Sequence, residues 1–217
     1  RPPIKVGAPV TDITAGILAA MGVLAAYVHR LKTGQGQRVD TSLFEAGITH
    51  TYWQSAIALA TGDSPPAMGS AHPLNAPYQA FQTADGSVMI SGGSDRIFVR
   101  LCDALGLSEV GGDSRFLTNP DRVLNRDELF ELLESRTKTH STEDLLELMH
   151  DHAVPCSPIQ NMAEVAAHPQ VAEAGLLPMA AHPEVSNYQD VALPLRVDGE
   201  RPRGVRPPPG AGEHTSE

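Results

Sequence analysis

The residue of this chain best equipped for chemistry is Asp12, a carboxylate beside the start of a long uncharged helical pattern. It lies in Val6-Gly7-Ala8-Pro9-Val10-Thr11-Asp12-Ile13-Thr14-Ala15-Gly16, ahead of apolar positions Ile17, Ala20, Leu24, Tyr27, Val28 and Leu31 at helical spacing. At a helix N-terminus the unpaired backbone N–H groups and the macrodipole favour an anion. A carboxylate there is either an N-cap, the common role for Asp, or a positioned nucleophile with donors at hand for an oxyanion. Spacing alone leaves both readings open.

Other residues carry weaker signals. Met68-Gly69-Ser70-Ala71-His72-Pro73 is a loop whose small residues let backbone approach a ligand closely. As a connector ahead of Pro73 it needs no function at all. His72 is of the commonest general acid–base type, but a lone loop histidine is by default a solvated or packing residue. His150-Asp151-His152 invites a metal reading; histidines two apart on a helix face different ways, no His-Glu-x-x-His spacing is present, and no metal is expected. Tyr52 and Trp53 sit among apolar neighbours, where core or dimer packing is the default. Gly34-Gln35-Gly36 and Gly92-Gly93 match no phosphate-binding fingerprint.

The elements that must position these residues read as follows. A first helix runs from Ile13, with His29, Arg30 and Lys32 in its last turn and Gly34 just past its end. Gln37 to Thr41 is expected to be a short strand. Ser42 with Glu45 forms a capping-box pattern opening a second helix to about Ala60, closed by Gly62 to Pro66. Tyr78–Thr83 and Ser87–Ser91 flank Ala84-Asp85-Gly86 as a hairpin. Helices follow at Arg96–Leu105, Arg126–Arg136 and Thr142–His152, the last capped from His140-Ser141. Met162–Ala167 and Pro169–Ala174 read as short helices, Leu177–His182 and Val191–Val197 as strands, and Arg201–Gly212 as a loose Pro/Gly-rich tail. The domain expectation is 1–66, 67–160 as a small α+β module, and 161–217.

Composition narrows the partners. A chain of 217 residues with net charge −10 and scattered basic residues argues against nucleic acid or an anionic membrane surface. The uncharged run Ile13–Val28 is shorter than a bilayer span and carries Gly16, Gly22 and several alanines, so it reads as an internal helix, apolar nearly all round and buried on several sides. No membrane association is expected. Cys102 and Cys156 lack CxxC spacing and read as reduced thiols of a cytoplasmic protein, with a bridge between them still open.

The segments around Asp12, Ala25-Ala26-Tyr27-Val28-His29-Arg30, Thr33-Gly34-Gln35-Gly36-Gln37-Arg38-Val39-Asp40-Thr41-Ser42-Leu43, Pro73 to Gly86 and Gly212-Glu213-His214-Thr215 together resemble the class III CoA-transferases. That family includes formyl-CoA and carnitine CoA-transferases and the alpha-methylacyl-CoA racemases. The resemblance implies an α/β fold: part of a Rossmann-like large domain, helix-rich here, with an inserted α+β small domain. It implies Asp12 as nucleophile toward an acyl-CoA, a carboxylic acid as CoA acceptor, and Gly69, Ser70, Ala71 and His72 as the loop meeting coenzyme A. The loop departs from the glycine run of the formyl-CoA branch. An interlocked homodimer is implied for the complete protein, of which this chain reads as a piece lacking the N-terminal half and the final helix. A racemase using Asp12 in proton transfer, or a non-catalytic subunit packing through Ile13–Val28, are the alternatives.

Overall fold

The structure, a computed structural model, describes residues 4–182, 184–202, 208–213 and 215, and the chain divides into two compact units, Arg1–Ser157 and Pro158–Glu217. In the first unit helix α1 (Val10–Thr33) begins earlier than the carboxylate pattern suggests. Pro9 is its N-cap: Pro9 O accepts the Ile13 N–H at 3.1 Å, and the ring's restricted φ suits a helix entrance. Asp12 is therefore the third helical residue, and the N-cap reading falls. Gly34 closes the helix at φ 74°, its N–H donating to Arg30 O at 2.8 Å.

Residues 37–41 form no strand. The segment is extended but finds no neighbour to pair with, and an unpaired run is not a sheet element. It passes instead close to α1 at Gly22, where an added Cβ would stand 2.6 Å from Val39 Cγ1. Helix α2 (Leu43–Thr61) is capped as expected by Ser42, whose Oγ accepts the Glu45 N–H at 3.2 Å; Glu45 returns its carboxylate to the Ser42 hydroxyl rather than to the backbone. The helix breaks at Tyr52 (φ 26°, ψ −92°) and ends at Gly62.

Helix α1 is buried only at Ala15, while Ile13, Ile17, Met21, Leu24 and Leu31 are exposed. The expected burial on several sides is absent because α2 is its one packed neighbour of any extent here. At 24 residues, with mean hydropathy 1.6 over its most apolar stretch, α1 is long and apolar enough to cross a membrane by length and composition. Core helices of soluble proteins share that property.

The rest of the first unit is built on the hairpin of β1 (Tyr78–Gln82) and β2 (Ser87–Ser91), antiparallel in the register Tyr78↔Ser91 to Gln82↔Ser87. A third strand, β3 (Cys156–Pro158), lies beside β2. Helices α3 (Asp95–Ala104), α4 (Ser108–Gly111), α5 (Asn119–Leu124), α6 (Arg126–Thr137) and α7 (Thr142–Asp151) surround it. Alternation along the strands sends Phe81, Val88 and Ile90 into a core with Phe98, Leu101 and Leu129. Through that core runs Arg122, fully buried, its guanidinium donating to the carbonyls of Ala76, Gly93, Phe116 and Leu117 and to Asp95. Cys102 and Cys156 are both free thiols.

The second unit holds α8 (Met162–Ala167), opened by a full capping box between Asn161 and Glu164, and α9 (Pro169–Glu173), capped by His168. The strands expected at Leu177–His182 and Val191–Val197 are reduced to the isolated bridges Met179↔Gln189 and Val197↔Glu200. Arg201 crosslinks this irregular chain through Ala174 O and Leu193 O, doing with side-chain donors what a ladder does elsewhere. Of the closing Gly212-Glu213-His214-Thr215, His214 lies outside the described residues, as do residues 203–207 of the tail.

Candidate active site

The carboxylate of Asp12 is exposed at the first turn of α1 and spends no hydrogen bond on capping; among the described residues its one partner is the neighbouring Thr11 hydroxyl, which donates to Oδ2 at 3.0 Å. Val10 N–H is used by Ala8 O and Ile13 N–H by Pro9 O. Those of Thr11 and Asp12, between them, have no acceptor among the described residues. The turn thus carries one anion and two open donors on a fixed backbone.

Helix α2 braces this turn from behind. Ala15 and Ala46 are both buried at the contact, and an added Cβ at Gly47 would meet Thr11 Cγ2 at 3.4 Å. One turn further along, His50 Nε2 and Thr14 Oγ1 share a 2.7 Å hydrogen bond. Beyond the break at Tyr52, the Trp53 ring meets His72 edge-on, centroids 4.9 Å apart.

His72 in turn stacks on Tyr78 at 5.2 Å and 5°. Its Nδ1 accepts from the Leu74 N–H at 3.1 Å, so the neutral ring carries its proton on Nε2. Burial, then the positive charge of Arg126, pushes the His72 pKa below its ordinary 6.5, so the ring is neutral at pH 7. The loop itself is fastened to β1: Ser70 Oγ accepts from Ala80 N–H at 3.0 Å, and His72 N–H donates to Tyr78 O at 2.9 Å. Gly69 takes φ 69°, a turn that favours glycine. No hydrogen bond or ion pair joins Asp12 to Gly69, Ser70, Ala71 or His72 among the described residues.

Between this loop and the start of α6 lies a cavity of about 580 Å³, lined by Met68 and Ala71 from the loop, Gln79 from β1, and Asn125, Arg126, Asp127 and Glu128. Arg126 spans from the cavity to the loop, donating through Nη2 to Pro73 O at 3.0 Å. No carboxylate pairs with it among the described residues, and its Nε is buried without a partner. Arg126 stands in no sequence motif, and Gln79 falls within the Pro73 to Gly86 segment without any local pattern marking it as a binding residue.

The histidine cluster near residue 150 does not converge. His152 donates Nδ1–H to Leu148 O at 2.9 Å, while His150 and Asp151 border a separate surface hollow. Among the described residues no group of three or more His, Cys, Asp or Glu is placed to hold a metal ion.

Comparison with known proteins places the chain in a family. The chain is 33% identical over 215 residues to the succinate–glutarate CoA-transferase of Agrobacterium fabrum, covering 99% of this chain and 54% of that protein. It is 34% identical over 199 residues to the acetyl-CoA:oxalate CoA-transferase of Acetobacter aceti, covering 87% and 51%. A crystal structure of a CaiB/BaiF family protein from Brucella suis superposes with TM-score 0.81 at 35% identity, covering all of this chain and 56% of that one. The chain therefore spans about half the length of the relatives it matches. With residues 1–215 matching the family's sequence model, the chain belongs to CoA-transferase family III.

Proposed function

We propose that the protein moves CoA from an acyl-CoA thioester to a carboxylic acid, with Asp12 as nucleophile. The Asp12 carboxylate attacks the thioester carbonyl, giving an acyl–aspartyl anhydride and CoA thiolate. The thiolate attacks the aspartyl carbonyl, releasing the donor acid and leaving an aspartyl–CoA thioester. The acceptor carboxylate then runs the two steps in reverse, restoring Asp12 and releasing the new acyl-CoA. No step needs a metal or a net proton transfer. What the residues must supply is an ionised, positioned carboxylate and donors for the oxyanions of each addition.

The observation that carries this reading is that Asp12 is free of capping duty while two backbone N–H groups of its own turn remain open. The loop Gly69–His72 is assigned to cover the thioester and keep water from the activated acyl groups. The relatives' named substrates, succinate, glutarate and oxalate, are dicarboxylic acids. We take a dicarboxylic acid as the acceptor class here.

The same reading places residues 1–66 and 161–217 in a Rossmann-like large domain and 67–160 in an inserted small one. It makes the complete protein a cytoplasmic, interlocked homodimer, with the apolar faces of α1 covered by protein rather than lipid; so large an exposed apolar surface calls for a partner. Nothing favours the racemase alternative, since the relatives named above are transferases.

In the complete protein, Asp12→Asn should abolish CoA exchange and leave the circular dichroism spectrum intact. Hydroxylamine added during turnover should leave a hydroxamate on Asp12 of the wild type. Exchange surviving in Asp12→Asn, or active enzyme that never forms the adduct, would remove Asp12 from the nucleophile's role.

A further inference from the structure

We propose that the cavity between the Met68–Ala71 loop and the start of α6 is a carboxylate-binding subsite, in which Arg126 and Gln79 hold the remote carboxylate of the dicarboxylic acid. The inference rests on the function proposed above for its substrate class, and on three observations of its own.

The first is a cation that forms no ion pair among the described residues, with only the charge of the adjacent, exposed Asp127 acting on it. Arg126 is half-buried, lacks any carboxylate partner among the described residues, and is held only by Pro73 O and a 3.8 Å contact to Met68 Sδ. A partly desolvated guanidinium with a buried Nε that nothing among the described residues accepts from is costly, and an arriving anion reduces that cost. The planar fork of Arg suits a carboxylate in particular.

The second is Gln79, which lines the same cavity and whose side chain makes no hydrogen bond among the described residues. An open amide at the cavity wall offers a ligand both a donor and an acceptor. The third is position: Ala71 lines the cavity, its neighbour His72 feels the Arg126 charge, and Trp53 on α2 touches that histidine. The subsite therefore adjoins the loop assigned to the thioester.

The lining also sets the charge of the occupant. Glu128 is engaged by Arg115, but Asp127 stands exposed at the rim and opposes an anion. One cation and one amide against that carboxylate suit a single carboxylate group, not a multiply charged phosphate. The shared chemistry is an oxyanion, and the phosphates of CoA are the competing source.

The test compares acceptors of equal length in the complete protein: glutarate, with a remote carboxylate, and valerate, without one. In Arg126→Gln the ratio of kcat/KM for glutarate over valerate should fall about 10- to 100-fold, the loss expected for a hydrogen bond to a charged group. Gln79→Met should move the ratio the same way by less, and Arg126→Lys should recover part of it. Equal losses for both acids would make Arg126 a structural tie for the loop and overturn the proposal. A rise confined to the KM of the acyl-CoA would overturn it in favour of a phosphate subsite. Calorimetric titration of glutarate into wild type and Arg126→Gln reads the subsite without turnover. Binding lost in the variant supports it even if exchange with dicarboxylic acids fails, and identical binding refutes it even if exchange is found.

Discussion

Removing the Arg122 side chain should destabilise the hairpin region while leaving the first two helices' contacts untouched. Its guanidinium donates to Ala76 O at 2.7 Å, Phe116 O at 2.9 Å, Gly93 O at 2.8 Å, Leu117 O at 3.2 Å and Asp95 Oδ1 at 2.8 Å, and lies 4.5 Å from the centroid of Phe98. The acceptors are not equal. Asp95 has a side chain 63% exposed, so the ion pair itself contributes little. Ala76 and Phe116 are 1% and 0% exposed, and their carbonyls have no water to turn to. Two orphaned buried acceptors cost about 1–3 kcal/mol each. Arg122→Met fills the volume but leaves both unpaired, so a loss of about 4 kcal/mol is expected, a large share of a domain's about 5–15 kcal/mol. Arg122→Lys keeps the charge but has one nitrogen for sites on two sides of the core, and should lose about half as much. The assay is amide hydrogen exchange of the β1–β2 ladder in the complete protein. A change below about 1 kcal/mol in Arg122→Met would refute the assignment of the hairpin's stability to those carbonyls.

Three further outcomes are expected. Burial pushes the Cys102 thiol up to about 12 and the Cys156 thiol up to about 11, so iodoacetamide at pH 8 should label neither in the native protein and both after unfolding in urea. The folded pKa of His72 lies below its unfolded value, so the unfolded chain binds the extra proton first and stability should fall as pH drops through about 6.5, the ordinary histidine value; His72→Asn should flatten that part of the profile in denaturation midpoints at pH 7 and 5. Gly34→Ala places a Cβ at φ 74° and should lower stability by about 1 kcal/mol in a thermal melt, with Gly36→Ala, where nothing lies within 4 Å, as the control.

What was legible in the sequence was local. Ser42, Ser141, Gly34 and Gly62 end their helices because a side-chain oxygen or a positive φ acts within four residues. The hairpin turn is likewise closed by its own residues, Gly86 N–H donating to Thr83 Oγ1. Thr118-Asn119-Pro120-Asp121 was readable in the same way, as the capping box that opens α5, but α5 and α4 are too short for a hydrophobic period to show. Illegible features depend on partners distant in the chain. A β-rich pattern becomes a strand only beside another strand: 37–41 finds none among the described residues, and 177–182 and 191–197 find only the single bridges at Met179 and Val197. Arg122 reads as a surface charge until five acceptors from three stretches of chain close around it. The apolar spacing starts the first helix at Ile13, which offers Asp12 as a cap, but Pro9, three residues before Asp12, fixes where the helix begins.

Helix α2 relates the turn of Asp12 to the loop, and it does so by departing from helical geometry. In a regular helix His50 and Trp53, three residues apart, face nearly the same way, and both would pack on α1. Tyr52 lies between them at φ 26°, ψ −92°, outside the regions a tyrosine favours, at a cost of about 1–3 kcal/mol. Such strain persists only where the surroundings over-determine it. Here His50 is held by Thr14 on one side of the break, and Trp53 by His72 on the other. Relaxing Tyr52 into the helix would reorient one of those side chains, loosening either the brace behind Asp12 or the contact on the loop. The two parts of the candidate site are thus tied through one strained residue, Tyr52, that no motif in the sequence announces.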